Sequence, residues 1–86
     1  MLKMFCVYDC KAEAYLPPFF MRSKGEAIRA LQGELKNEQS NICQYPSDFT
    51  LFEIGEYDEL RGLVKMYETK NCLGLVQDFR QSLGVQ

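Results

Sequence analysis

Apolar side chains open the chain on both alternating sets of positions. Met4, Cys6 and Tyr8 share one face of an extended segment, and Phe5 and Val7 share the other. Apolar character on both faces predicts a strand in the interior of a sheet. Asp9 to Lys11 reads as a turn, and Ala14 to Phe20 as a returning second strand. Pro17 and Pro18 have no N–H to give to a ladder, which confines that return to a sheet edge or an irregular extended path. The pattern then changes period. Ser23 followed three residues later by Glu26 is a capping box. It opens a helix to about Asn37 with Ala27, Ile28, Leu31 and Leu35 on one stripe. Lys24, Arg29, Glu34, Lys36 and the glutamines cover the rest, and Gly25 and Gly33 weaken the helix without cancelling it.

Asn37 to Ser47 is polar, contains a proline and reads as a loop, with Ile42, Cys43 and Tyr45 tacking it to the core. Phe49 to Tyr57 is rich in aromatic and β-branched residues and predicts the strongest strand of the chain. Asp58 to Gly62 supplies a turn, and Leu63 to Glu68 the strand that returns from it. Leu75, Val76, Phe79 and Leu83 repeat the helical stripe, with Gly84 placed as a C-terminal stop. The predicted order is β-β-α-β-β-α in a single domain, residues 1–86. The fold class is α+β, an antiparallel sheet from two β-hairpins with two helices against one face. The other face would still carry aromatics, which favours a dimer or a ligand there.

Composition supports a folded domain, since 47% of the residues are hydrophobic and 13% aromatic. At 86 residues the chain buries roughly 60–65% of its unfolded surface, so association with a second copy would add stability. No apolar run is long enough to span a bilayer. The N-terminus MLKMFCVYDCK lacks the apolar centre and cleavage site of a signal peptide, so a cytoplasmic protein is expected.

Net charge is −2, which is not the basic footprint of a nucleic-acid binder. The charges are unevenly placed. Residues 1–36 carry six basic and four acidic side chains, and residues 37–86 carry four basic and eight acidic. A folded surface could then show one basic and one acidic face, and ordinary sampling noise gives the same split. Cys6, Cys10, Cys43 and Cys72 form no C-x-x-C pair, and no histidine is present to complete a zinc site. Along a strand the α-carbons of Cys6 and Cys10 would sit about 13 Å apart, too far for a disulfide. Buried or half-exposed thiols are expected, with a four-cysteine metal site as the alternative.

The lack of histidine removes the commonest general base and the usual partner of a Ser or Cys nucleophile. The glycines match no phosphate-cradling loop, so neither catalysis nor a cofactor is expected. Glu53, Glu56, Asp58 and Glu59 cluster near one hairpin tip, where solvation explains them and a hard-cation site is the alternative. What remains is an interleaving of cations and rings in the first third. Lys3, Lys11, Arg22, Lys24 and Arg29 lie among Phe5, Tyr8, Tyr15, Phe19 and Phe20. Single-stranded nucleic acid is held by such pairings, with cations on phosphates and rings stacked on bases. Core building competes for every ring. Tyr15, Phe19 and Phe20 are the best candidates for exposure, because the prolines hold that segment off a central strand. The candidate DNA-binding set is therefore Lys3, Lys11, Tyr15, Phe19, Phe20, Arg22, Lys24 and Arg29.

Three segments carry a family likeness: YDCKAEAYLPPFF, the capped helix entry SKGEAIRA, and DFTLFEIGEYDELRG. In this order and spacing, over about half the chain, they resemble the small nonstructural protein of gokushovirus-type microviruses, phages with small circular single-stranded DNA genomes. The resemblance implies a non-capsid, early protein made in the host cytoplasm. It also implies DNA binding, and a part in the switch from duplex replication to single-stranded genomes for packaging. No site residues come with it. Two functions follow as expectations. One is single-stranded DNA binding through the basic first third, as a dimer offering a longer groove. The other is an interaction module that docks on the viral replication initiator or a host replication protein without touching DNA.

Overall fold

Strand β1, Leu2–Asp9, hydrogen-bonds along both of its edges, the interior position that its two-faced apolar pattern predicts. The computed structural model describes the backbone of residues 1–84 and the side chains of residues 1–80. Met4, Phe5, Cys6 and Val7 are all buried. On one edge the chain returns as β2 (Ala14–Tyr15) and then β3 (Phe19–Met21), both antiparallel to β1, with Tyr8 opposite Tyr15 and Met4 opposite Phe20. The single return predicted for Ala14 to Phe20 is thus split in two. Pro17 and Pro18 fall in the gap, where no ladder donor is needed.

On its other edge β1 pairs with β4 (Phe49–Asp58), and β4 with β5 (Leu63–Leu75), again antiparallel. The sheet order is β2-β1-β4-β5, with β3 extending the row of β2 along β1. The alternation predicts that β5 stops at Glu68, but the strand runs on to Leu75. Met66 lies opposite Gly55 and Asn71 opposite Glu53, so Tyr67, Glu68, Thr69 and Lys70 all face the single residue Ile54. That bulge interrupts the two-residue alternation and hides the rest of the strand from a periodicity reading. Leu75, expected on the helical stripe, is instead the last, exposed residue of β5.

Helix α1 (Lys24–Leu35) opens as the capping box requires at its first bond, with Ser23 Oγ accepting from the Glu26 N–H at 3.2 Å. The Glu26 carboxylate reaches one residue further back and accepts from the Arg22 N–H at 3.0 Å. Ala27, Leu31 and Leu35 are buried and Ile28 half-buried, as the stripe predicts. The loop expected from Asn37 to Ser47 contains a helical turn, α2 (Asn41–Gln44), capped by Ser40, and a 3-10 turn over Pro46–Asp48. Ile42 anchors it in the core and Cys43 is half-buried, whereas Tyr45 is exposed.

Helix α3 (Val76–Gly84) buries Val76 and Phe79. The Leu83 side chain and the residues beyond Gly84, on which the expected stop depends, lie outside the described residues. All helices pack on one face of the sheet. Phe5 and Val7 of β1 and Phe49 and Leu51 of β4 meet Ala27, Leu31, Leu35, Ile42, Val76 and Phe79 in one continuous core. The Gln32 Nε2 donates to the Phe79 carbonyl at 3.3 Å, tying α1 to α3. The architecture is α+β with an antiparallel sheet and helices on one side. No helix among the described residues is long and apolar enough to cross a membrane.

Candidate functional site

The pleat decides which side chains face away from the helices. Paired residues of an antiparallel sheet point to the same side, so the even positions of β1 define the open face. Leu2, Met4, Cys6 and Tyr8 bring with them Tyr15, Phe20, Phe52, Tyr57, Met66 and Cys72 from the neighbouring strands. The rings form two groups. Tyr15 packs on Tyr8 with centroids 4.7 Å apart and edge-on to Phe52 at 6.0 Å, while Phe20 meets Tyr57 at 5.6 Å. Tyr15 keeps 47% of its surface exposed and Phe20 40%. Exposure of this much ring surface on a face without helices is the feature that most calls for a partner.

Among the described residues, one cation stands at these rings. Lys70, carried out of the ladder by the β5 bulge, places its Nζ 5.4 Å from the Tyr15 ring centroid, within cation–π range. Beside it, Cys6, Tyr15, Leu16, Pro18, Ile54, Met66, Tyr67, Glu68 and Lys70 line an open cleft of about 290 Å³. Burial pushes the Cys6 thiol above its ordinary pKa, and Lys70 only partly offsets this. Of the other thiols, all free, Cys43 is half-buried, within the buried or half-exposed range expected, whereas Cys10 and Cys72 are exposed and fall outside it.

The eight candidate residues do not converge. Tyr15 and Phe20 share the open face. Phe19 is turned to the helix side, half-buried and stacked on Phe5 at 5.7 Å. Lys3 also lies on that side, its Nζ 3.5 Å from Glu53 Oε2. Lys11 is exposed in the β1–β2 turn, which the Asp9 carboxylate shapes by accepting from the Lys11 and Ala12 N–H groups. Arg22 and Lys24 are exposed where β3 meets α1, and Arg29 is exposed on α1, which packs against the opposite face. The expected gathering of first-third cations beside solvent-facing rings is replaced by a lysine from the second half of the chain. Phe52 is readable from the alternation of β4. Lys70 is not, because its position depends on the bulge.

Glu53, expected as a solvated hairpin-tip carboxylate, is only 6% exposed. It accepts a hydrogen bond from Tyr67 Oη at 2.6 Å and an ion pair from Lys3. The hydrogen bond to the carboxylate, with burial and the charges of Glu53 and Glu56, pushes the Tyr67 phenol up to about 12. A folded-state value above the unfolded one means that the bond stabilises fully below pH ~10 and is lost as pH climbs through about 12. Wild type minus Tyr67→Phe should therefore show a melting-temperature gap that is constant from pH 7 to 9 and shrinks above pH ~10. A gap unchanged at pH ~11.5 would mean that the phenol does not hold its proton through Glu53.

Residues 2–79 match the family model described as Phage ORF5 protein, and the chain belongs to that family. No curated protein and no solved structure matches it.

Proposed function

We propose that this Phage ORF5 family member binds single-stranded DNA on the open sheet face and acts in the host cytoplasm in the switch from duplex replication to single-stranded genome synthesis and packaging. The observation that carries the reading is the half-exposed Tyr15 ring with the Lys70 ammonium above it. A base stacks on such a ring for about 1–3 kcal/mol, and the adjacent ammonium neutralises a phosphate. Phe20 with Tyr57 provides a second stacking platform on the same face. Among the other candidates, Lys11, Arg22 and Lys24 are exposed cations free to follow a strand that leaves this face. Pairing of two copies would lengthen the track, which suits a domain of this size.

Titration of a labelled oligonucleotide at several salt concentrations tests the reading. Affinity should fall with salt at a slope of about −0.7 per phosphate neutralised, and Tyr15→Ala should weaken it by about 1–3 kcal/mol with the fold retained by circular dichroism. The net charge of −2 favours a second reading, an interaction module for the viral replication initiator or a host replication protein. Absent or salt-insensitive oligonucleotide binding, with such a partner still captured, selects that module and sinks the first reading.

A further inference from the structure

The cleft beside Tyr15 has a chemistry that stacking alone does not use. Its walls are apolar, from Ile54, Met66, Leu16 and Pro18, and its volume of about 290 Å³ is at the small end for a ligand site, room for one ring system. Its rim carries a carboxylate, Glu68, and an ammonium, Lys70. Among the described residues neither is in an ion pair within 4.0 Å. Both residues are exposed, so their charged groups are free to meet the polar edge of an occupant whose flat body lies on the apolar walls. A flat heteroaromatic ring with donors at one edge and an acceptor beside them satisfies both.

We propose that this cleft takes one guanine base of the bound strand. The inference rests on the single-stranded DNA reading and adds a base preference at one position. Guanine alone among the DNA bases presents two adjacent donors, N1–H and the exocyclic N2 amine. They match the two oxygens of the Glu68 carboxylate in a bidentate pair, while O6 accepts from the Lys70 ammonium, which at a guanine turns from the phosphate to the base. The other bases offer a carboxylate one donor edge group at a time.

The test uses the full chain and three fluorescein-labelled strands of equal length and charge: all-thymidine, the same with one central guanine, and the same with inosine at that position. Inosine keeps O6 and N1–H and lacks the N2 amine. The guanine strand should bind about tenfold more tightly than the thymidine strand, with inosine between them. Glu68→Gln, at an exposed position, should abolish that ratio while the protein still binds the thymidine strand. Equal affinity for all three strands, or a guanine advantage that survives Glu68→Gln, overturns the guanine site and leaves the DNA-binding reading standing. Failure of all three strands to bind removes both.

Discussion

Phe5→Ala should destabilise the fold by about 3–5 kcal/mol. Phe5 has no exposed surface, lies in the middle of the doubly paired β1, and stacks on Phe19 at 5.7 Å. Truncation opens a hole where the helices meet the sheet, and flanking backbone paired on both edges cannot collapse into it. A domain of this kind has about 5–15 kcal/mol of stability in total, so the variant should melt tens of degrees lower. Urea titration should show a lower midpoint at an unchanged slope. Phe20→Ala is the control: 40% exposed on the open face, it should cost far less. Equal losses for the two would mean that the open face is covered in solution, by a second copy or otherwise.

Gly55→Ala is the second. A Cβ at this position would sit 2.6 Å from the Lys65 carbonyl oxygen and 3.3 Å from the Met66 Cα. Both obstacles are backbone, so no side-chain rotation relieves the clash, and β4 and β5 must move apart where the bulge begins. Overpacking of this sort costs about 1–3 kcal/mol. On the single-stranded DNA reading it should also weaken oligonucleotide binding, because the shifted segment leads towards Lys70, whose ammonium stands over the Tyr15 ring. Gly33→Ala gives the contrast. With nothing within 4 Å of its added Cβ, in an exposed turn of α1, it should stabilise by about 0.5–1 kcal/mol. Unchanged stability for Gly55→Ala would show that β5 does not press against β4 there.

Tyr15, Phe19 and Phe20 show how far the candidate site was legible. Pro17 and Pro18 mark the segment as peripheral, and Tyr15 and Phe20 are indeed exposed. Phe19 and Phe20 are neighbours on β3, however, and the period of two forbids neighbours from sharing a face. Only one of them can lie on the open face, and Phe19 packs half-buried against the core on the other side. Lys3 reads as a free cation because its partner, Glu53, is fifty residues away in sequence. Lys70 carries no signal in the sequence, because the bulge that lifts it over Tyr15 breaks the alternation of β5.

Local preferences wrote several elements directly into the chain: the two-faced apolar run of β1, the Ser23–Glu26 entry to α1, the proline break and the aromatic alternation of β4. Each rests on interactions between residues a few positions apart, or on burial demanded of one segment at a time, and neither needs knowledge of the rest of the fold. The tertiary structure alone decided the register of β5 on β4, the burial of Glu53 against Lys3 and Tyr67, and the meeting of Lys70 with Tyr15. Those pairings join residues far apart in the chain. Their geometry comes from where two strands slip past each other, which no short window of sequence encodes.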